Sequence, residues 1–194
     1  MNKIFDNKLL EQCAKKAVGS EGQAMFDTVI NALVEAYPRY IDPENRTWLL
    51  NYAGGCKWNM CLLYASLSEY VMIVGSSVGT AGFSGRYRVN ITDFIFAGEV
   101  LYNQEGETER KVYKAGDVST LEAGQAALIN IPNSAWMIEY AHGFIPSMIP
   151  FGLIETLTST LDWRACYRTS KVYFKQAVKS YRTNKEAKQK ITSV

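Results

Sequence analysis

The sequence predicts an α+β protein in which a closed β-barrel or sandwich is flanked by helices at both ends of the chain. Apolar residues recur at helical spacing before residue 45, form short strand-like runs from 47 to 141, and return to helical spacing from 145. Turn signals separate the runs, most densely in the glycine-rich stretch 75–85. With 194 residues, 47% of them hydrophobic, the chain is long enough for one domain with a sizeable core.

Two helices are predicted before the barrel. The first covers Asn7–Val18, where apolar side chains form one stripe, and Gly19 ends it. Ser20 with Gln23 three residues later is typical of a capping box, which predicts that the second helix begins there. Pro38 stops this second helix, because a proline cannot continue the hydrogen-bond ladder.

Eight strands are predicted in the middle of the chain, each a short apolar run between turn signals. Their ranges are 47–52, 59–64, 69–74, 86–96, 98–103, 110–114, 125–131 and 135–141. His142 falls in the turn that we expect after the last strand. Many short strands at this spacing favour a barrel or a sandwich.

Two further helices are predicted after the strands, at 145–163 and 164–181. We therefore interpret 1–194 as a single domain with a polar tail, which we expect to fray. Its parts are N-terminal helices (1–45), a β-barrel (46–144), C-terminal helices (145–182) and the tail (183–194).

Several classes of protein are disfavoured by what the sequence lacks. No run of about 18 apolar residues occurs and the start has no apolar signal-peptide core, so we expect no transmembrane segment. The four cysteines and the single histidine lack the spacing of a metal site, so we expect no metal. The glycines at 75–85 lack the lysine of a phosphate-binding loop, and barrel turns explain them better.

Two lone carboxylates stand in otherwise apolar strands. Asp93 lies within Ile91–Phe96 and Glu139 within Trp136–Tyr140. An ionised acid is costly to bury, so burial raises its pKa, and a second acid nearby raises one of the two further. Such a pair shares one proton at neutral pH and offers an acid beside a base. Its negative charge also stabilises a carbocation or binds an amine. The alternative places both acids on outward strand faces in contact with water.

Longer motifs identify a family. The segments AGG, MCLLYASLSEYV, GFSGRY, ITD and WMIEY, with the IPS that follows, resemble the family of the sigma-1 receptor and the fungal Δ8–Δ7 sterol isomerase. The resemblance runs from about residue 20 to about residue 175 with little gapping. It implies a cupin-like β-barrel flanked by helices, a homotrimer, and an endoplasmic reticulum location. The N-terminal membrane helix usual in the family is not recognisable here.

The resemblance also implies roles for particular residues. The family's two essential carboxylates correspond to Asp93 and Glu139, and the tyrosine that hydrogen-bonds the glutamate corresponds to Tyr70. Glu155 matches an acidic position, and we expect it to shape the pocket entrance. Apolar pocket-lining positions can equally be ordinary barrel core. The substrate-binding positions implied are Met60, Leu62, Met72, Val74, Ser84, Tyr87, Leu121, Ile129, Ile131, Ile145, Ile149 and Tyr173.

Some positions depart from the family pattern. Cys56 and Ile131 stand where tryptophans are expected, Val74 where an aromatic residue is expected, and Phe83 in place of a histidine. These changes keep the acid pair and alter the shape of the pocket, so they bear on the identity of the substrate more than on the chemistry.

The leading functional hypothesis is an isomerase that shifts a carbon–carbon double bond in a sterol-like or terpenoid lipid. In it Glu139 is the closer partner of a carbocation, Asp93 shares its proton, and Tyr70 orients Glu139, with no metal or organic cofactor. One alternative is a terpene cyclase that protonates a linear prenyl chain. The other is a receptor-like protein that binds hydrophobic or cationic amphiphilic amines without turnover.

The C-terminal part of the chain is basic. Residues 162–194 contain nine Lys and Arg but only two acids, and the bases of 164–182 recur at spacings of three and four. A basic amphipathic helix of this kind suits peripheral contact with an anionic membrane. The alternative is a solvated face on a helix that closes the barrel, in a cytoplasmic protein. We expect no nucleic-acid binding, because no recognition fold accompanies these bases.

Overall fold

The computed structural model describes residues 3–192, with side chains described for residues 3–186. Within this part of the chain lie two N-terminal helices, nine strands and two C-terminal helices preceded by a 3₁₀ turn. The helices are α1 (Asn7–Lys15), α2 (Gly22–Ala36), α3 (Ile149–Thr160) and α4 (Trp163–Thr192), and the 3₁₀ turn is Ile145–Met148. The strands are β1 (Trp48–Ala53), β2 (Cys56–Ala65), β3 (Glu69–Ser76), β4 (Thr80–Phe83), β5 (Val89–Gln104), β6 (Lys111–Lys114), β7 (Val118–Leu121), β8 (Ala127–Ile131) and β9 (Ala135–Gly143).

All nine strands pair in antiparallel fashion, in the order β1-β2-β3-β9-β5-β8-β4, with β6 and β7 also paired to β5. Strand β5 is the longest and pairs with four other strands, β6, β7, β8 and β9, so it connects the two sides of the barrel. The predicted α+β class, a cupin-like β-barrel with helices from both ends of the chain packed on it, is confirmed.

A bend explains why β5 is one strand where the sequence predicts two. Gly98 has φ 72°, and its pairing with β9 follows a register shift between Ile95 and Ala97. A Cβ atom at this position would lie 1.9 Å from the carbonyl oxygen of Ser134. Glycine at position 98 therefore allows the chain to bend while the strand continues. The sequence pattern instead predicts that one strand ends before Gly98 and another begins there.

Three other predicted boundaries are wrong. Helix α2 has Glu21 as its N-cap without any side-chain bond, so Ser20 does not form the predicted capping box. The short strand β4 lies in the glycine-rich stretch for which the sequence predicts barrel turns, and β7 lies between the predicted strands 110–114 and 125–131, where the sequence predicts no element. His142 lies within β9, opposite Asn90 of β5, because the last strand runs two residues beyond its predicted end.

The C-terminal helix is longer than predicted. Helix α4 continues to Thr192, so the tail predicted to fray over 183–194 is helical up to that residue, and the rest of that prediction lies outside the described residues. In the part of the chain that the structure describes, no helix combines the length and apolarity needed to cross a membrane.

The two faces of the barrel sheet differ in what covers them. On the outer face, Phe94, Phe96 and Ile138 pack against apolar side chains of α1 and α2, including Leu10 and Leu33. Residues of opposite parity on the same strands point inward, because side chains alternate along a strand. The inner face is the wall of a cavity, and α3 and α4 lie over that cavity.

Helix α3 is fixed to the hairpin formed by β1 and β2. The Thr156 hydroxyl accepts from the backbone N–H of Tyr52 at 2.9 Å and donates to the Tyr52 carbonyl at 2.8 Å. The Asn51 amide donates to the Gly152 carbonyl at 2.6 Å. These bonds satisfy backbone groups at the edge of the sheet and hold the helix over the cavity.

Candidate functional site

The two lone carboxylates lie directly opposite each other on neighbouring strands. Asp93 of β5 pairs in register with Glu139 of β9, and both side chains line the inner cavity. Directly opposite residues in an antiparallel pair have Cβ atoms about 5 Å apart, which brings their carboxyl groups within reach of each other. The structure thus brings together the two acids that the sequence singles out.

Hydroxyl groups hold each acid in place. Tyr70 of β3 donates to Oε1 of Glu139, as the family resemblance implies. Tyr102 donates to Oδ2 of Asp93 at 2.6 Å, and Ser119 of β7 donates to the same oxygen at 3.2 Å. Among the described residues, Oδ1 of Asp93 has no hydrogen-bond partner.

Burial changes the proton affinity of both acids. Asp93 is only 4% exposed, and Glu139 has its open surface on the cavity rather than on bulk solvent. Desolvation raises the pKa of Glu139, the negative charge of Asp93 raises it further, and the Tyr70 hydroxyl lowers it. Desolvation also raises the pKa of Asp93, while the hydroxyls of Tyr102 and Ser119 lower it. The pair therefore retains one proton at neutral pH.

The tyrosines of the site act as donors. Desolvation and the charge of Glu139 raise the pKa of Tyr70, and desolvation and the charge of Asp93 raise that of Tyr102. Both phenols therefore keep their protons at neutral pH and can donate to the carboxylates.

The acids face a largely apolar cavity of about 210 Å³. All the predicted substrate-binding positions line it except Ile131. That residue is buried and packs with Val74, Ile95 and Met137 in the barrel core. It therefore lies behind the cavity-lining side chains and does not reach the cavity itself. The predicted positions on the cavity surface are Met60, Leu62, Met72, Val74, Ser84, Tyr87, Leu121, Ile129, Ile145, Ile149 and Tyr173.

Other cavity residues were not predicted. They include aromatic residues from β2, from the far end of β5 and from both C-terminal helices. Tyr87 and Phe151 meet edge to face, with ring centroids 5.3 Å apart. The cavity residues that the sequence did not indicate include Trp58, Ile91, Tyr102, Phe151 and Phe174, whereas Phe83, one of the departures from the family pattern, also lines the cavity.

Glu155 has a different place from the one expected. It is not among the cavity-lining residues. Its two oxygens accept from the backbone N–H of Gly55 at 3.1 and 3.2 Å, at the turn between β1 and β2. Glu155 therefore anchors the helix that covers the cavity and does not shape an entrance with its own side chain.

A further glutamate–tyrosine pair lies on the outer face of the same two strands. Tyr140 of β9 donates to Oε1 of Glu69 on β3 at 2.7 Å. Both oxygens of Glu69 also accept from the backbone N–H of Ile4, and Oε1 accepts from that of Phe5. Glu69 is 2% exposed and holds the N-terminal segment against the barrel.

The described residues offer no cluster of His, Cys, Asp and Glu side chains suited to a metal ion. Cys56 and Cys61 are buried free thiols, and desolvation raises the pKa of each to about 11. A thiol that stays protonated at neutral pH is a poor nucleophile. The acidic side chains that line the cavity are Asp93 and Glu139, and hydroxyl groups surround them.

Comparison with known proteins places the chain in a family. The model of the family "ERG2 and Sigma1 receptor like protein" matches residues 1–185. The sigma non-opioid intracellular receptor 1 of Danio rerio is 38% identical over 173 residues, which span 89% of this chain and 78% of that protein. The C-8 sterol isomerase ERG2 of Gibberella zeae is 33% identical over 172 residues, or 87% of this chain and 73% of that protein.

Solved structures with a similar arrangement include an RmlC-like cupin from Shewanella frigidimarina, at 17% sequence identity and a TM-score of 0.46. That match covers 54% of this chain and 90% of the cupin. The family model extends over most of the chain, and the two relatives exceed 30% identity. The resemblance predicted from the sequence motifs is confirmed, and the chain belongs to the ERG2 and Sigma1 receptor like family.

Proposed function

We propose that this protein is an isomerase that shifts a carbon–carbon double bond in a sterol-like or terpenoid lipid. The observation that carries the proposal is the pair Asp93 and Glu139, set opposite each other in a largely apolar cavity where burial raises the pKa of both acids. One acid and one base at the same place are what proton addition and removal require. The C-8 sterol isomerase ERG2 of Gibberella zeae is a relative whose activity fits this chemistry.

The reaction follows from the two carboxyl groups. The protonated carboxyl adds its proton to one alkene carbon, and the electron pair of the double bond forms the new C–H bond. The other alkene carbon becomes a carbocation, which faces the negative charge of the pair. The other carboxylate then removes a proton from the adjacent carbon, and the electrons of that C–H bond form the shifted double bond. The pair again holds one proton, so the cycle is balanced.

The walls of the cavity favour this intermediate. They are mainly aliphatic and aromatic, so little water is present to capture a carbocation. In such surroundings the attraction between the carboxylate pair and a cation is much stronger than in water. Tyr70 fixes the orientation of Glu139 through its hydrogen bond to Oε1.

Turnover of a Δ8 sterol in heavy water tests the proposal. Wild type, Glu139→Gln, Asp93→Asn and the control Glu122→Gln, a change at an exposed acid, are compared by mass spectrometry of the product. We expect deuterated Δ7 sterol from wild type and the control, and none from the two cavity variants. Folded wild-type protein that incorporates no deuterium would contradict a sterol isomerase, and assays on linear prenyl chains would then test the cyclase alternative.

A receptor-like function is the second candidate, favoured by the similarity to sigma receptors of several vertebrates, including the Xenopus tropicalis protein at 37% identity. The acid pair would bind a cationic amine whose apolar arms fill the cavity. Binding of an amphiphilic tertiary amine is measured by calorimetry in the same variants. Binding that is lost in Glu139→Gln, together with unchanged sterol and prenyl substrates, would support this candidate over the isomerase.

Helix α4 supports a proposal of peripheral membrane contact. Its exposed apolar side chains recur at spacings of three, four and seven, so they share one face, and bases including Arg164 and Lys171 lie beside them. Trp and Tyr next to Arg and Lys suit the boundary between lipid and water. The exposed apolar residues on this face are Trp163, Tyr167, Phe174, Val178 and Tyr181.

Sedimentation with vesicles tests this contact. We expect binding to vesicles that contain anionic lipid, and a reduction in the double variant Trp163→Ser, Tyr181→Ser. The control Leu128→Ser changes an exposed apolar residue on the barrel and should bind like wild type. Equal binding by all three would contradict the assignment to α4. The trimer implied by the family resemblance stays a prediction, which analytical ultracentrifugation can test.

A further inference from the structure

The two acids of the pair differ in the hydrogen bonds that they receive. Oδ2 of Asp93 accepts two hydroxyl donors, Tyr102 at 2.6 Å and Ser119 at 3.2 Å. Among the described residues, Glu139 accepts a side-chain hydrogen bond from Tyr70 alone. A hydrogen bond donated to a carboxylate favours its ionised form. The site is therefore asymmetric, and the asymmetry favours charge on Asp93.

No cation competes with these hydroxyls. Besides Asp93, the titratable groups that line the cavity are Glu139 from β9 and the phenols of Tyr70, Tyr87, Tyr102 and Tyr173. None of the described cavity-lining residues is Lys, Arg or His. The hydroxyl donors are therefore the groups available to decide which of the two acids keeps the shared proton.

The donors are themselves held in place. The ring of Tyr102 meets that of Tyr113 edge to face, with centroids 5.6 Å apart and an interplanar angle of 90°. Ser119 lies directly opposite Asp93 in the pairing of β7 with β5. Asp93 thus sits between two strand neighbours, with Ser119 on one side and Glu139 on the other.

We propose that Tyr102, acting with Ser119, is a positioning residue that keeps Asp93 ionised, so that Glu139 carries the shared proton and delivers it to the substrate. Tyr70 occupies Oε1 of Glu139, which leaves Oε2 for the proton. Oδ1 of Asp93, which has no partner among the described residues, is then the natural acceptor of that Glu139 proton in the resting protein.

The catalytic meaning of this assignment rests on the proposed isomerase function. Glu139 gives its proton from Oε2 to the alkene carbon and becomes a carboxylate. Asp93 takes the proton from the adjacent carbon as the double bond moves. Transfer of that proton from Asp93 to Glu139 restores the resting state. The pKa shifts agree with this order, because desolvation and then the charge of Asp93 raise the pKa of Glu139 to about 8. Desolvation raises the pKa of Asp93 only to about 6, since the hydroxyls of Tyr102 and Ser119 lower it.

The test is a pH titration of the full chain by NMR, with ¹³C in the carboxyl groups of Asp and Glu and no substrate present. Asp93→Asn and Glu139→Gln assign the two resonances. Near neutral pH we expect the Glu139 carbon at the shift of a protonated acid and the Asp93 carbon at that of a carboxylate. In Tyr102→Phe the titration midpoint of Asp93 should rise by about one pH unit or more.

Two further variants make the test specific. Ser119→Ala should raise the Asp93 midpoint by a smaller amount, because its hydrogen bond is longer, and it replaces Tyr102→Phe if that variant does not fold. Tyr113→Phe is the matched control, since Tyr113 packs on Tyr102 but its hydroxyl does not bond Asp93, and it should leave both midpoints unchanged.

A wild-type Asp93 that is protonated at neutral pH while Glu139 is ionised would overturn the proposal. So would an unchanged Asp93 midpoint in both Tyr102→Phe and Ser119→Ala. Because the titration needs no turnover, its outcome is independent of the sterol assay. Expected titrations with no isomerisation would refute the isomerase function and leave the proton assignment standing, whereas isomerisation with the opposite titration would refute the assignment alone.

Discussion

The two glutamate–tyrosine pairs of β3 and β9 invite comparison, because each strand carries the same dipeptide. Glu69-Tyr70 lies on β3 and Glu139-Tyr140 on β9. Each tyrosine donates to the glutamate of the other strand, so one pair lies on the inner face of the sheet and the other on the outer face. Identical chemistry on the same pair of strands therefore meets two different environments.

The difference lies in the number of hydrogen-bond donors. Glu69 is surrounded by the hydroxyl of Tyr140 and the backbone N–H groups of Ile4 and Phe5. Glu139 has the Tyr70 hydroxyl, a second acid opposite and an apolar cavity in front. A carboxylate whose oxygens accept several hydrogen bonds stabilises the fold. A carboxylate with few hydrogen-bond donors around it stays available to exchange a proton.

The largest expected effect separates the two glutamates by function. Glu139→Gln should lower the deuterium-incorporating turnover by about 10²–10⁴-fold, the usual contribution of a general acid or base. Its free energy of unfolding should equal or exceed that of wild type, because a neutral amide is cheaper to bury than this acid. Turnover assays and urea denaturation of the same preparation measure both quantities. Turnover in Glu139→Gln equal to that of wild type would contradict the claim that Glu139 acts in the reaction while Glu69 only stabilises the fold.

The corresponding change at Glu69 should lower the stability of the fold. Glu69→Gln replaces one acceptor oxygen with an NH₂ group that cannot accept from Ile4 or Phe5 and removes the charge from the remaining bonds. We expect the free energy of unfolding to fall by about 3 kcal/mol, since bonds to charged groups contribute roughly 1.5–3 kcal/mol each. Urea denaturation measures the loss. Turnover per folded molecule should be close to that of wild type, and a stability equal to wild type would contradict the structural role.

The pH dependence of stability should distinguish the same residues. In the folded protein, desolvation and the charge of Asp93 raise the pKa of Glu139 above the value of about 4.3 that it has when unfolded. Stability from this group is present at low pH and is lost as the pH rises through the raised pKa. We expect wild type to lose about 2 kcal/mol between about pH 6 and about pH 9, and Glu139→Gln to lose much less. Equal losses in both proteins would contradict the raised pKa.

The smallest expected effect compares the two tyrosines. Tyr140→Phe removes one of several donors to Glu69 and should cost about 1 kcal/mol of stability. Tyr70→Phe removes the hydroxyl bonded to Glu139, so we expect slower turnover with a smaller change in stability. Denaturation and turnover of both variants are measured together. A Tyr70→Phe protein that loses stability but not activity would reverse the assignment of the two faces.

The acid pair could be predicted because strand periodicity places residues of one parity on one face. Asp93 and Glu139 each stand alone in an apolar run, and long antiparallel strands keep that signal intact. The backbone donors around Glu69 could not be predicted in this way. Every residue except proline has a backbone N–H group, so the sequence does not indicate which of them will bond to Glu69. The helix boundaries at Ser20 and in α4 depend on local contacts that propensity does not fix.

Tyr102 and Ser119 escaped prediction for a different reason. The register shift between Ile95 and Ala97 changes the parity of β5, so Tyr102 reaches the cavity although its number is even and that of Asp93 is odd. Ser119 lies on a strand of four residues, too short to show alternation. Irregular pairing is visible only once the strands are assembled in space.

The bulge in β5 also bears on how related proteins can diverge. Loss of the extra residue itself would leave every later side chain on its present face, because the pairing with β9 beyond the shift already skips one residue of β5. Gain or loss of one residue between Gly98 and Tyr102 would instead turn the later side chains of the strand to the other face. The cavity would then receive Leu101 or Asn103 where Tyr102 now stands, while Asp93, on the near side, would keep its position. An insertion or deletion of one residue in this strand is thus a route to a new ligand preference that leaves the acid pair in place.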